Sequence, residues 1–177
     1  MKRSMALLVA LLLSLSVAAA VTPAHAAGPY CGIRWGSLAK DLSPGSTGEV
    51  VGVRAGRHAC FDRLVLDISG STDGHFVRYV PEVRTDGEGL LVPLRGGARL
   101  EVVATAPATA TDAWFLPNGE LIDTTGYRTF RQVAYAGSNE AQTTIGLGVR
   151  ARLPFRVLLL DGPGSGGRLV VDVAHRW

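Results

Sequence analysis

The chain has 177 residues, 18 Lys+Arg against 15 Asp+Glu, four His and only two Cys, with a formal net charge of +3. So small an excess of positive charge excludes the basic surface on which nucleic-acid binding depends. The length allows one domain with a substantial core, and two cysteines are too few for a scaffold held together by disulfides alone.

From the N-terminus, Lys2 and Arg3 precede an apolar run, Ala6–Val21, interrupted only by Ser14 and Ser16. The run is shorter than the ~20 residues a bilayer span needs, and Ala24-His25-Ala26 follows it with small-x-small spacing. Residues 1–26 are therefore read as a cleaved secretory signal, with no stable membrane insertion expected. Tyr30, directly before Cys31, is too bulky for a lipidation signal. Removing Lys2 and Arg3 leaves 16 basic residues against 15 acidic ones, and every basic residue of that mature part except Lys40 is an arginine.

An even pair of cysteines in an exported chain reads as one disulfide, Cys31–Cys60. It would tether an N-terminal segment (27–49) to a domain of residues 50–177. A metal site at Cys60 and His58 has too few neighbouring ligands, so no metal and no cofactor are expected. A short helical turn is allowed near Trp35–Lys40.

From residue 50 onward, apolar and β-branched runs recur between Gly, Pro, Asp and Ser. They predict strands at Val50–Arg54, Phe61–Ile68, Phe76–Val83, Leu90–Leu94, Arg99–Thr105, Thr129–Ala136, Thr143–Ala151, Phe155–Leu160 and Arg168–Ala174. The pattern is that of an all-β, two-sheet β-sandwich. Ser69–His75, Thr85–Gly89, Ala136–Gln142 and Asp161–Gly167 read as hairpin connections, rich in residues that tolerate positive φ. Ala106–Tyr127 is too long for a hairpin. It reads as a crossover between the two sheets, or as a functional loop.

One strand is written twice: Arg63-Leu64-Val65-Leu66-Asp67 and Arg168-Leu169-Val170-Val171-Asp172. Alternation puts Leu64, Leu66 and Ile68, and likewise Leu169, Val171 and Val173, on the core face. The Arg and Asp residues fall on the outer face. Within one strand they stand about 13 Å apart, so an ion pair has to be made across strands, where an exposed pair contributes about 0–1 kcal/mol. The acids are expected to be architectural.

Catalytic constellations are scarce. There is no His-Glu-x-x-His and no Gly-x-Ser-x-Gly, and Gly162-Pro163-Gly164-Ser165-Gly166-Gly167 precedes a strand, not the helix a phosphate loop requires. Glu120, Asp123 and Glu140 are available carboxylates of no particular spacing. Two stretches are richer than a scaffold requires. Arg54–Arg63 brings Arg57, His58 and Asp62 beside the expected disulfide. Tyr127–Gly137 brings Arg128, Arg131 and Tyr135, planar donors and a ring suited to sugars or to a carboxylate-bearing peptide. These six are the expected binding residues.

"GRHACFDR", "TTIGLGVRARLPFRV" and the flanking "YCGIRWGS", "VRYVPEV" and "VPLRGGARLEVVATAPA" make the chain from Cys31 to Trp177 resemble the AMIN-like domain proteins, small exported proteins of GC-rich Gram-positive bacteria. The family is named for its similarity to the AMIN domain of cell-wall amidases and pilus secretins. That resemblance implies a sandwich with internal pseudo-symmetry, one copy of the doubled motif in each sheet, and a non-catalytic, extracytoplasmic role. The implied partner is a cell-wall polymer, peptidoglycan in the first place, or an envelope protein. A small secreted hydrolase using His58 and Asp62, or acids of the Ala106–Tyr127 loop, and a protein–protein docking domain, are the alternatives.

Overall fold

The computed structural model describes residues 29–43, 45–108 and 120–177. The expected signal at residues 1–26 and most of the Ala106–Tyr127 connection lie outside them. Among the described residues a 3-10 turn (Tyr30–Gly32) is followed by eleven strands: β1 (Lys40–Leu42), β2 (Val50–Arg57), β3 (Phe61–Ile68), β4 (His75–Val80), β5 (Val83–Arg84), β6 (Leu91–Val92), β7 (Ala98–Ala104), β8 (Phe130–Asn139), β9 (Gln142–Val149), β10 (Phe155–Asp161) and β11 (Gly167–Ala174). They form a five-stranded sheet in the order β1-β4-β7-β9-β8, a four-stranded sheet in the order β10-β11-β3-β2, and a small β5-β6 ribbon. The two larger sheets are antiparallel throughout and pack face to face, giving the expected sandwich.

The core is the alternation made physical. Leu64, Leu66, Ile68, Leu169, Val171 and Val173 from one sheet meet Val77, Leu100, Val102, Phe130, Val133, Ile145, Leu147 and Val149 from the other, all buried. Proline breaks the single strand predicted over Phe76–Val83. Pro81 has no N–H to donate, β4 ends at Val80, and Val83 begins the ribbon. That ribbon lies on the outer face of the five-stranded sheet, where Val83, Val92 and Leu94 cover Ala134 and Ala136. Gly146 and Gly148 make room for it: a Cβ at Gly146 would stand 2.9 Å from a Leu94 methyl, and one at Gly148 would stand 2.1 Å from the Arg95 carbonyl oxygen.

Four expectations need correction. The doubled strands do not divide between the sheets; β3 and β11 are antiparallel neighbours in one sheet. Arg63 faces Asp172, Val65 faces Val170 and Asp67 faces Arg168, so the two copies are related by a local two-fold through the Val65–Val170 pair. A motif with Arg at one end and Asp at the other is self-complementary only in this antiparallel pairing, which is a physical reason for writing it twice. Second, Ser69–His75 is no hairpin, because it carries the chain from the four-stranded sheet to the five-stranded one. Third, the segment from Ala106 to Tyr127 joins β7 to β8, both in the five-stranded sheet with β9 between them, and does not change sheets. Fourth, Trp35–Lys40 is extended. Gly36 bridges to Phe155, and β1 then adds an edge to β4.

The Cys31–Cys60 disulfide forms, with the Cα atoms 6.4 Å apart. It holds the leading segment against the outer face of the four-stranded sheet. Trp35 packs on Phe61 with ring centroids 6.0 Å apart, and the Arg156 guanidinium lies 5.5 Å from the Trp35 ring and 5.3 Å from the Phe61 ring. Under this cover Asp172 is fully buried. It accepts two hydrogen bonds from Arg63, at 2.6 and 2.8 Å, and one from Arg156, at 2.8 Å. Its counterpart Asp67 pairs with Arg54 on β2 in an exposed bridge, and Arg168 donates instead to the Asp161 carbonyl. The acids are on the outer face as expected, but one of the two is a buried ion-pair centre.

Candidate binding surface

The residues singled out from Arg54–Arg63 and Tyr127–Gly137 meet at the disulfide end of the sandwich, apart from Tyr135. Two sequence-distant segments converge there because β2 and β3 turn over at Arg57–Phe61 directly below the entry to β8. The joint is Asp62. Alternation puts Asp62 in phase with Leu64 and Leu66, so its carboxylate points between the sheets and is fully buried. Oδ2 accepts the backbone N–H of Thr129 at 2.6 Å and of Phe130 at 3.1 Å, tying the four-stranded sheet to the start of β8. Oδ1 is buried without a hydrogen-bond partner. Asp62 is thus withdrawn from the surface on which it was expected to act.

A histidine completes the joint. The His175 backbone N–H donates to the Cys60 carbonyl at 3.0 Å, and its ring contacts the His58 carbonyl through Nε2, at 3.0 Å, and the Thr129 hydroxyl through Nδ1, at 2.9 Å. Nε2 donates to the carbonyl, and the Thr129 hydroxyl also donates to the Ala174 carbonyl at 3.3 Å. The His58 ring stacks on Phe61 at 4.5 Å. Neither Thr129 nor His175 was singled out as a working residue by sequence. Their signal was only proximity to a strand end.

Above the joint the surface is cationic. Arg57 is exposed and lies 6.0 Å from the Tyr127 ring, with its guanidinium beside Gly126. Tyr127 stacks in turn on the buried Phe130, their planes 6° apart. Burial, then the Asp62 carboxylate, raises the Tyr127 phenol above its ordinary pKa, with Arg57 opposing, so the ring keeps its O–H as a donor. Arg128 is exposed on the next residue. Among the described residues, neither Arg57 nor Arg128 forms an ion pair with an acid. Arg131 curls back to donate to the Phe130 carbonyl at 2.8 Å and the Tyr127 carbonyl at 3.2 Å, which braces the turn carrying Tyr127 and Arg128. Arg150 and Arg176 join the same end, the first donating to the His175 carbonyl at 2.5 Å, the second lying 4.7 Å from the Tyr30 ring. Asp123 is the nearby exposed acid. Its hydrogen bonds to Thr125 hold its pKa below the ordinary value, so it stays ionised.

Tyr135 does not join them. A bulge between Phe130 and Gln132 resets the alternation of β8, and Tyr135 packs with Val133 on the inter-sheet core. Burial, then the charge of Asp86, raises its pKa. Tyr127, which sequence reasoning passed over, supplies the ring that Tyr135 was expected to supply. Among the described residues no group of three or more His, Cys, Asp or Glu could hold a metal ion, and no helix is long and apolar enough to cross a membrane.

Two packed antiparallel sheets, a disulfide-clamped leading segment and an arginine-rich end define a β-sandwich module. The chain belongs to the AMIN-like domain family, which matches over residues 48–175, the whole of both sheets except β1. AMIN-like domains are generally non-catalytic binding domains, and membership suggests an extracytoplasmic module related to the cell wall, in keeping with a disulfide made in an oxidising compartment. Neither a curated protein nor a solved structure matches the chain.

Proposed function

We propose that the exported protein binds cell-wall polymer, peptidoglycan in the first place, through the surface formed by Arg57, Tyr127 and Arg128, without catalysing a reaction on it. The observation that carries this reading is the pair of exposed guanidinia, unpaired with acids among the described residues, flanking a braced aromatic ring. Guanidinium forks suit the carboxylates of stem peptides, and a tyrosine ring suits the apolar face of a sugar. His58 and Arg131 support the site from below, the first by packing the Arg57 turn on Phe61, the second by bracing the Tyr127–Phe130 backbone. The His58–Asp62 form of the hydrolase alternative lacks its couple: His58 is stacked on Phe61, and Asp62 is buried and bonded to Thr129 and Phe130, while most of the Ala106–Tyr127 loop lies outside the described residues.

The test is retention of the mature protein on purified sacculi, with Arg57→Glu/Arg128→Glu and Tyr127→Ala beside it. Wild type is expected to be retained and to be released progressively by salt, as exposed ion pairs are screened over about 8–10 Å at physiological ionic strength. The charge-reversed variant is expected to be lost from the pellet. No retention of wild type at physiological salt overturns the reading, and equal retention of the reversed variant moves the site elsewhere. Cross-linking in live cells to one exported protein, with no retention on sacculi, would instead favour a docking role.

A further inference from the structure

The disulfide end carries a second guanidinium–tyrosine couple, which the surface proposed above does not use. Arg152 lies 4.8 Å from the Tyr79 ring, as Arg57 lies 6.0 Å from the Tyr127 ring. The Tyr79 hydroxyl is held twice by Leu153: it donates to the carbonyl at 2.7 Å and accepts the N–H at 3.0 Å. Burial pushes the Tyr79 phenol up to about 12, so the ring stays neutral beside the guanidinium. Arg152 is steadied further by donating to the Ser37 carbonyl at 3.1 Å. Arg99 lines the same cleft as Arg152 and Tyr79, between the end of β4 and the start of β7, with a volume of about 550 Å³. That volume falls in the ~300–1,000 Å³ range of small-ligand sites.

An independent observation is how the fold sorts its charges. After residue 26 the chain is nearly neutral, yet the pairing is uneven. Arg54, Arg63, Arg78 and Arg156, on the sheet faces, are each bonded to an acid. Arg57, Arg99, Arg128, Arg150, Arg152 and Arg176 gather at the disulfide end, and among the described residues none of them forms an ion pair. Acids at this end are already engaged: Asp62 by two backbone N–H groups, Glu82 by Arg84 and Glu120 by Arg95. Asp123, beside Tyr127, is the exposed exception. Like charges gathered within a Debye length raise the free energy of the surface, and an anionic partner relieves it.

The two couples stand level with one another. Phe130 faces Val149, Val149 faces Ala98, and Arg99 faces Val80, so the start of β8 and the end of β4 lie side by side across β9 and β7. Three strand spacings separate them, about 14 Å in all. Arg150, directly after β9, stands between. One carboxylate or phosphate fills one seat; a chain carrying anions in series reaches both. We propose that the arginine end binds a linear anionic polymer across two seats, Arg57–Tyr127–Arg128 and Arg99–Tyr79–Arg152. This rests on the reading of the first seat given above and adds the second.

The test is calorimetric titration of the mature protein with long-chain polyphosphate and polyglutamate, beside pyrophosphate and succinate, which are too short to bridge the seats. Joining two weak contacts in one ligand raises avidity by about 10²–10⁴-fold, so at least one polymer should bind about 100-fold more tightly than its short counterpart. Arg99→Gln/Arg152→Gln should lose about tenfold or more of that gain and leave pyrophosphate binding at the Arg57 seat in place. Arg99→Gln alone, which keeps the Tyr79 stack, should lose less. Urea midpoints equal to wild type are expected for both variants. The preferred polymer identifies phosphate or carboxylate as the anion, and sacculi stripped of phosphodiester-linked polymers by cold hydrofluoric acid check the choice. Loss of retention on them goes with polyphosphate, and unchanged retention goes with polyglutamate. Polymers that bind no tighter than the short probes, or that ignore Arg99→Gln/Arg152→Gln, overturn the proposal. Sacculus retention that falls with Arg57→Glu/Arg128→Glu but not with Arg99→Gln/Arg152→Gln also overturns it and leaves the single-seat reading standing. Length-dependent polymer binding without sacculus retention leaves this proposal standing and removes that reading.

Discussion

The doubled motif makes a quantitative demand on Asp67 and Asp172, which occupy the same position of the same pentamer but differ in surroundings. Asp172 is fully buried, and its partners Arg63 and Arg156 keep only 25% and 27% of their side-chain surface exposed. Asp67 and Arg54 are 30% and 55% exposed. Removing one member of a buried ion pair typically costs about 3–5 kcal/mol, because a charge is left without its counterion. Here the two stranded guanidinia retain some water, which places Asp172→Ala at the low end, about 3 kcal/mol. Arg63→Ala or Arg156→Ala leaves Asp172 one partner and should cost less, about 2 kcal/mol. Asp67→Ala opens an exposed bridge and should cost about 0–1 kcal/mol. Replacing all three charged groups together, Arg63→Met/Asp172→Leu/Arg156→Met, should come back to within about 1 kcal/mol of wild type, since the desolvation of the ions disappears with their attraction. Urea unfolding followed by circular dichroism measures each value; for a domain of this size, Tm should fall by about 2–4 °C per kcal/mol. Equal costs for Asp67→Ala and Asp172→Ala would refute the reasoning, because the pair would then be governed by the motif and not by its cover.

Three further outcomes follow from the same structure. Cys31→Ser/Cys60→Ser releases a 29-residue separation and should lower stability by about 3–4 kcal/mol in the chain-entropy treatment, read from the urea midpoint without reductant. Asp62→Ala leaves the Thr129 and Phe130 N–H groups buried without acceptors and should cost about 2–3 kcal/mol, with faster hydrogen exchange at those two amides as the local signature. Asp86, in the turn between β5 and β6, has its pKa raised by burial, with Glu101 adding and the Thr144 hydrogen bond opposing. The folded state therefore holds that proton more tightly than the unfolded state, so the stabilisation from the protonated form is complete below the ordinary value of 3.8 and is lost as pH rises through the folded value. Asp86→Asn should flatten stability across that window and match or exceed wild type at neutral pH, measured by urea midpoints at a series of pH values.

The sequence carried more of the strands than of their neighbours. Phe61–Ile68 is recovered to the residue, and the inner faces of β3 and β11 are those that alternation dictates. Pairing is non-local, and alternation says which face a residue takes but nothing about which strand lies beside it. Hence the two copies of the motif were expected apart and are found together, and Ser69–His75 was expected to return to its own sheet and instead leaves it. The same limit shaped the site. Arg57 and Arg128 are exposed as expected, whereas Tyr135 was misplaced by a bulge that shifts parity without any glycine or proline to announce it. Asp62 is different: its phase with Leu64 and Leu66 was legible, and that alone pointed it between the sheets. Tyr127 could not be found this way, because its role depends on Arg57, which is 70 positions away in the chain and contacts it only once the sheets are packed.

The candidate binding surface lies at an end of the sandwich, and the two broad faces show why. The outer face of the five-stranded sheet is covered by the β5–β6 ribbon, seated on Ala134, Ala136 and the glycines of β9. The outer face of the four-stranded sheet is closed at one end by Trp35 and the leading segment, and its charges are satisfied internally by the Arg63–Asp172–Arg156 and Arg54–Asp67 pairs. A ligand docking on that face would have to displace bidentate ion pairs before gaining any contact, a cost that affinity rarely recovers. The ends are under no such constraint. The disulfide end gathers arginines above a joint fixed by Asp62 and His175. The charges of the doubled motif are taken up within the sheet, by Arg54, Arg63 and Arg156 for the two aspartates and by the Asp161 carbonyl for Arg168, which leaves the unpaired guanidinia of Arg57 and Arg128 to the strand ends and loops.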